Sequence, residues 1–222
     1  MDEISVPFVG FDLCDNDAVR KYHDHLGAAR NMAQLKPMEP GVRFDIDLVI
    51  PPANPHPNAR SLPPLPIQSS SKFTLCLDLP LQTDLDRFSQ VWTAVVEGFG
   101  AARSATQTTL VLKIIQPSMC PYFDIDDNWV GNYTFPEYTA RLEAMVYDRL
   151  ANKQGLSIPY FFGIHTILTP SNEIAWALVL EYIPGQTLQT YADSTNKTIQ
   201  ESCELVCSSR PCIYASLSCT CS

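Results

Sequence analysis

Lys113 stands inside an otherwise apolar run, Thr109-Leu110-Val111-Leu112-Lys113-Ile114-Ile115. An ammonium on a strand that should be buried is costly unless a partner compensates it. Glu143 follows thirty residues later, on a stretch with helical spacing, and supplies a carboxylate of the right charge. A lysine held by a glutamate is suited to binding phosphate. A nucleotide also needs a flat apolar slot for its base and backbone groups for the base edge. A second apolar run, Ala177-Leu178-Val179-Leu180-Glu181-Tyr182, stops at Pro184-Gly185. It would offer backbone donors and acceptors at an exposed connection. The plainer alternative is a lysine snorkelling at a sheet edge and a glutamate facing solvent.

Several elements must position these groups. Phe73 to Leu79 and Phe88 to Val96 read as strands, and Leu110 to Ile115 as a third; an antiparallel meander is the simplest arrangement. In the third, Val111, Lys113 and Ile115 share one face, and Leu112 and Ile114 the other. After a polar insertion, 116–133, Thr134 and Glu137 have capping-box spacing, and Pro136 falls in the first turn. Leu142, Met145, Val146 and Leu150 then predict the apolar face of a helix ending near Asn152, before Gly155. Tyr160 to Leu168 and Ile174 to Ile183 read as two more strands around a turn at Thr169-Pro-Ser-Asn172. The order is β-β-β-α-β-β, which predicts an α+β fold with a five-stranded antiparallel sheet and one main helix.

Upstream, residues 1–36 predict an arm with one helix, capped by Asp15 or Asp17, with Val19, Tyr22, Leu26 and Ala29 or Ala33 near one face. His23 and His25 are two apart, on different sides of that helix, and make poor joint ligands. Nine of the 18 prolines lie between Pro37 and Pro66, so 37–72 reads as a linker. Within it Val42 to Leu48 alternates strictly and could add a short strand to a sheet edge. The arm as a whole is expected to be mostly disordered.

Residues 73–190 resemble the small lobe of the eukaryotic protein-kinase superfamily, and look most like fungal kinase-like proteins. Val111-Leu112-Lys113 resembles the end of the family's third-strand Val-Ala-Ile-Lys motif. Glu143, in Glu-Ala-x-x-Tyr-x-x-Leu, resembles the C-helix glutamate that pairs with that lysine. Leu180-Glu181-Tyr182-Ile183 resembles the hinge. The resemblance implies Leu180 as gatekeeper, with the Glu181 carbonyl and the Ile183 backbone facing adenine. Phe88-Ser-Gln-Val91-Trp-Thr-Ala94 resembles the end of the glycine-rich loop and the second strand, which would set Val91 over the base. ATP is the implied ligand, and in intact relatives the implied reaction is phosphoryl transfer to a protein.

The departures bear on activity. The three family glycine positions hold Asp84, Asp86 and Ser89, where side chains would block backbone N–H groups from phosphate. No His-Arg-Asp loop and no Asp-Phe-Gly motif occurs, so the base and the magnesium ligand of the family are missing. Mg is therefore not expected. After Ile183 the sequence runs 39 residues further (222 − 183), through a possible helix start at Thr198 to Val206, into a Cys/Ser-rich end. A large lobe needs on the order of 150 residues. The expectation is a truncated, pseudokinase-like domain, inactive as written. The alternatives are a protein-interaction module, docking a partner through the face a large lobe would cover, and a gene-model fragment. The tail fits translation through an intron or out of frame as well as an alternatively spliced end.

Composition narrows the remaining classes. A net charge of −9 without a Lys/Arg run argues against nucleic acid and anionic membrane. The longest mostly apolar stretch, Ile174 to Ile183, is half a bilayer span, and the N-terminus lacks a signal-peptide pattern. An intracellular protein, cytoplasmic or nuclear, is expected, with Asn132 and Asn196 as chance sequons. Five of eight cysteines fall in the last twenty residues at irregular gaps that do not fit a zinc site. Asp124, Asp126 and Asp127 lack the glycine and terminal glutamate of a calcium loop. Neither a Gly-x-Ser-x-Gly elbow nor a His-Glu-x-x-His helix is present.

Overall fold

The computed structural model describes residues 15–65, 72–83, 87–97, 108–120 and 135–185. Two helices and six strands follow in the order α1 (Asn16–Leu35), β1 (Arg43–Asp47), β2 (Lys72–Gln82), β3 (Gln90–Glu97), β4 (Thr109–Ile115), α2 (Pro136–Arg149), β5 (Phe161–Leu168) and β6 (Ile174–Glu181). Short 3-10 turns lie at Pro117–Met119 and Ala151–Lys153.

All neighbours in the sheet are antiparallel, in the order β1-β2-β3-β4-β6-β5. The expected meander is β2-β3-β4. The expected strand count of five is corrected to six by β1. Its alternation buries Phe44 and Ile46 and exposes Arg43, Asp45 and Asp47, and it pairs along β2 from Arg43–Cys76 to Asp47–Lys72. Strict period-two burial is enough to hold a five-residue edge strand in register. Beyond β1, the Val49 amide donates to the Phe162 carbonyl on β5 at 2.9 Å, so the two ends of the sheet meet and it curls nearly into a barrel. Inside lies a core of Phe44, Leu75, Trp92, Leu112, Phe162 and Val179 among others.

The N-terminal segment is also corrected. Asp15 Oδ1 accepts from the amides of Asp17 and Ala18 at 2.9 and 3.2 Å, which starts α1 as the sequence predicts. Val19, Tyr22, Leu26 and Ala33 are buried, against the Pro117–Met119 turn and Phe135. The described part, 15–65, is thus folded onto the domain, and the main helices among the described residues number two.

Residues 51–65, expected as linker, form a strap fastened to the loop before β5. The Asn54 side-chain amide donates to the carbonyls of Asn152 and Gln154 at 3.0 and 2.8 Å. The Tyr160 hydroxyl donates to the Arg60 carbonyl at 2.8 Å. Thr108 Oγ1 donates to the Pro64 carbonyl. Prolines suit this role: they forbid ladder pairing but hold an extended path at low entropic cost. Gly155 sits at φ +76°, and a Cβ there would meet the Tyr160 hydroxyl at 2.4 Å. Only glycine fits beneath that ring.

Helix α2 differs from its sequence reading in cap and face. Its N-cap is Phe135 without a side-chain cap, although Pro136 does occupy the first turn; Thr134 lies outside the described residues. The buried positions are Pro136, Ala140 and Ala144, while Leu142, Met145 and Val146 are exposed. Small side chains let the helix approach the outer sheet face, where it packs with Phe161, Trp176, Leu178 and Leu180. The large apolar residues, which dominate a periodicity reading, point the other way.

Candidate functional site

The outer face of β4 carries Val111 and Lys113, and the register places their neighbours. Val91 on β3 and Leu178 on β6 pair across from Lys113; Thr93 and Leu180 pair across from Val111. Directly paired residues of an antiparallel ladder share a face. Val91, Val111, Lys113 and Leu180 therefore stand together on the face that α2 partly covers. Lys113 lies on an interior strand, so the sheet-edge alternative does not apply.

Glu143 reaches this face from α2. Lys113 Nζ donates to Glu143 Oε2 at 2.6 Å, and the two side chains are 29% and 25% exposed. One hydrogen bond uses one of three ammonium donors. The helix is brought close enough by Ala140 and Ala144, which are nearly or fully buried against the sheet one turn before and one residue after the glutamate. The pair is a half-open cation on an apolar wall, able to meet an anion without first being dug out of the core.

The residues Leu180 to Ile183, expected as a hinge, divide. Leu180 is buried with the outer cluster and Ile183 is 43% exposed beyond the end of β6. The Glu181 side chain faces the opposite way and is 6% exposed. Arg60 holds it with a two-point fork, Nε to Oε1 and Nη2 to Oε2, both 2.9 Å. The Tyr160 amide donates to the same Oε2 at 3.0 Å, and the Glu181 amide donates to the Tyr160 carbonyl at 2.8 Å. Arg60 Nη1 and Nη2 also donate to the carbonyls of Leu156 and Ile158 at 3.1 and 3.0 Å. Sequence reading missed Arg60. It lies among prolines without periodicity, and the only signal was a charge near a cluster of turn residues.

Of the three positions expected, from the resemblance, to correspond to glycines, Asp84 and Asp86 lie outside the described residues. Ser89 is buried, and its carbonyl accepts from Gln82 Nε2 at 3.1 Å. The insertion from 121, the tail from 186 and the Gly98–Gly100 loop also lie outside. Among the described residues no three His, Cys, Asp or Glu side chains group as metal ligands, and no helix is long and apolar enough to cross a membrane. Cys120 is an inert thiol, pushed up to about 12 chiefly by burial. Glu173 accepts from Gln116 Nε2, Ser118 N and Ser118 Oγ at 2.5 to 2.8 Å; this tethers the turn after β4 to the β5–β6 turn. No family model matches the chain, and no curated protein matches it.

Proposed function

We propose that the outer sheet face is an adenine-nucleotide site, and that residues 73–190 act as a small lobe of protein-kinase type. One observation carries the reading: Lys113 and Glu143, separated by thirty residues, meet at 2.6 Å. A partly exposed ion pair contributes at most about 1 kcal/mol to folding. Stability therefore gives little reason to place a lysine on an interior strand, whereas a phosphate ligand does. The order of three strands, a helix and two strands also supports the reading. In it Lys113 takes the phosphates, Val91 and Val111 contact the base, Leu180 limits the depth of the slot, and backbone groups of Glu181 and Ile183 meet the base edge. The proposed activity of these residues is binding of ATP.

The test is thermal unfolding of the 222-residue chain with ATP, with and without Mg2+. At a hundredfold excess over Kd, binding adds about 2.7 kcal/mol to stability. The expected result is a raised Tm in the wild type and no rise in Lys113→Met. An unmoved wild-type Tm at millimolar ATP would remove the proposal. It would favour the second reading, a protein-interaction module, for which the observation is the exposed apolar row Tyr138, Leu142, Met145 and Val146 on α2.

A further inference from the structure

We infer that Arg60 is a positioning residue for the base-binding edge, so that the strap, 51–65, sets nucleotide affinity without touching the nucleotide. The inference rests on the nucleotide reading above. Its basis is the division within Glu181. The side chain is locked on the inner side by five contacts in a chain: two from Arg60, one from the Tyr160 amide, and the Arg60 bonds to Leu156 and Ile158. The main chain of the same residue forms the last ladder position of β6, opposite Leu110. Past it, Tyr182 and Ile183 are both more than a third exposed.

The direction in which the chain leaves the sheet is therefore fixed at one residue, and Arg60 holds that residue. A guanidinium fork constrains a carboxylate in rotation as well as in distance, which a lysine ammonium cannot do. Arg60 is itself fixed through its main chain. Its amide donates to the Gly155 carbonyl at 2.8 Å and its carbonyl accepts from Tyr160. The strap thus acts on the edge through a rigid path: strap backbone, guanidinium, carboxylate, then the peptide that follows Glu181. A base edge is read by hydrogen bonds, whose strength falls off within a few tenths of an ångström and tens of degrees. Small rotations of this peptide are enough to weaken binding.

The experiment pairs amide hydrogen exchange with ATP titration on the full chain, for the wild type and Arg60→Lys. Expected are faster exchange at Tyr182 and Ile183, unchanged exchange in β3 and β4, and ATP affinity weaker by about tenfold. Unchanged exchange and affinity would overturn the inference. So would a rise spread evenly over all strands, the pattern of a purely stabilising residue. Should Arg60→Lys fail to fold, Glu181→Gln, which keeps the acceptor oxygen and loses the fork, is read in the same way. A wild type that does not bind ATP fails the nucleotide reading. The exchange pattern alone then decides whether Arg60 positions this edge.

Discussion

Two ion pairs sit at opposite sides of the same sheet, and they differ in closure. Arg60–Glu181 is inside, with the carboxylate 6% exposed and satisfied by three hydrogen bonds. Lys113–Glu143 is outside, with both side chains a quarter or more exposed and one hydrogen bond between them. The chemistry of the cations matches. Arginine donates in a fixed fork to several acceptors at once, and lysine offers a point charge with donors to spare. The inner pair is finished by the protein itself. The outer pair is left able to take a further anion. Charge pairing alone does not mark a functional residue, and the proposal rests instead on the incomplete pairing of Lys113 on an accessible face.

Breaking the inner pair should have the largest effect. Arg60→Met leaves a buried carboxylate without its cation and is expected to cost about 3–5 kcal/mol in urea unfolding. A loss under about 1 kcal/mol would place both pairs in one class and erase the contrast. Next comes the support beneath the inner pair. Gly155→Ala meets both a positive φ and the Tyr160 ring, and about 2 kcal/mol is expected in the same assay. Because Tyr160 bonds both Arg60 and Glu181, this change should also loosen the strap. Lys113→Met should lower stability by no more than about 1 kcal/mol while removing the ATP-induced rise in Tm. A large destabilisation would show the outer pair to be a structural fastener as well.

The smallest effect belongs to a group in neither pair and serves to separate background from signal. His165 is half-buried with Nε2 against the Phe162 carbonyl at 3.1 Å, and partial burial holds its pKa below the usual 6.5. The unfolded chain then binds a proton that the folded chain refuses. Stability present above pH 6.5 is lost as pH falls through 6.5 toward the lowered value. His165→Phe should flatten that slope, as measured by urea midpoints between about pH 7 and 5.

The outer pair was legible in the sequence because an ammonium within an apolar run is anomalous by itself, and Glu143 lay on the next periodic segment. The Asp15 cap and the burial of Val19, Tyr22 and Leu26 were equally local. The inner pair was not legible. Arg60 and Glu181 are far apart, and neither residue type is unusual where it stands. The face of α2 was misread for a related reason. Helix periodicity weights large apolar residues, whereas this helix docks through Ala140 and Ala144, and nothing local says that small residues face the sheet. The sixth strand was visible as alternation in Val42 to Leu48, but only the bond from Val49 just beyond it to Phe162 on β5 shows that it closes the sheet.

The strap also has a consequence in time. Arg60 precedes the carboxylate it grips by 121 residues. During synthesis at about 5–20 residues per second, its guanidinium must wait on the order of ten seconds for Glu181 to be made. Until then β1 and β2 have no far edge to close upon, because Phe162 on β5 is also still to come. Until β5 and β6 are made the β1–β2 ribbon keeps its apolar face open, and these two strands seal both the barrel seam and the Arg60–Glu181 contact of the strap.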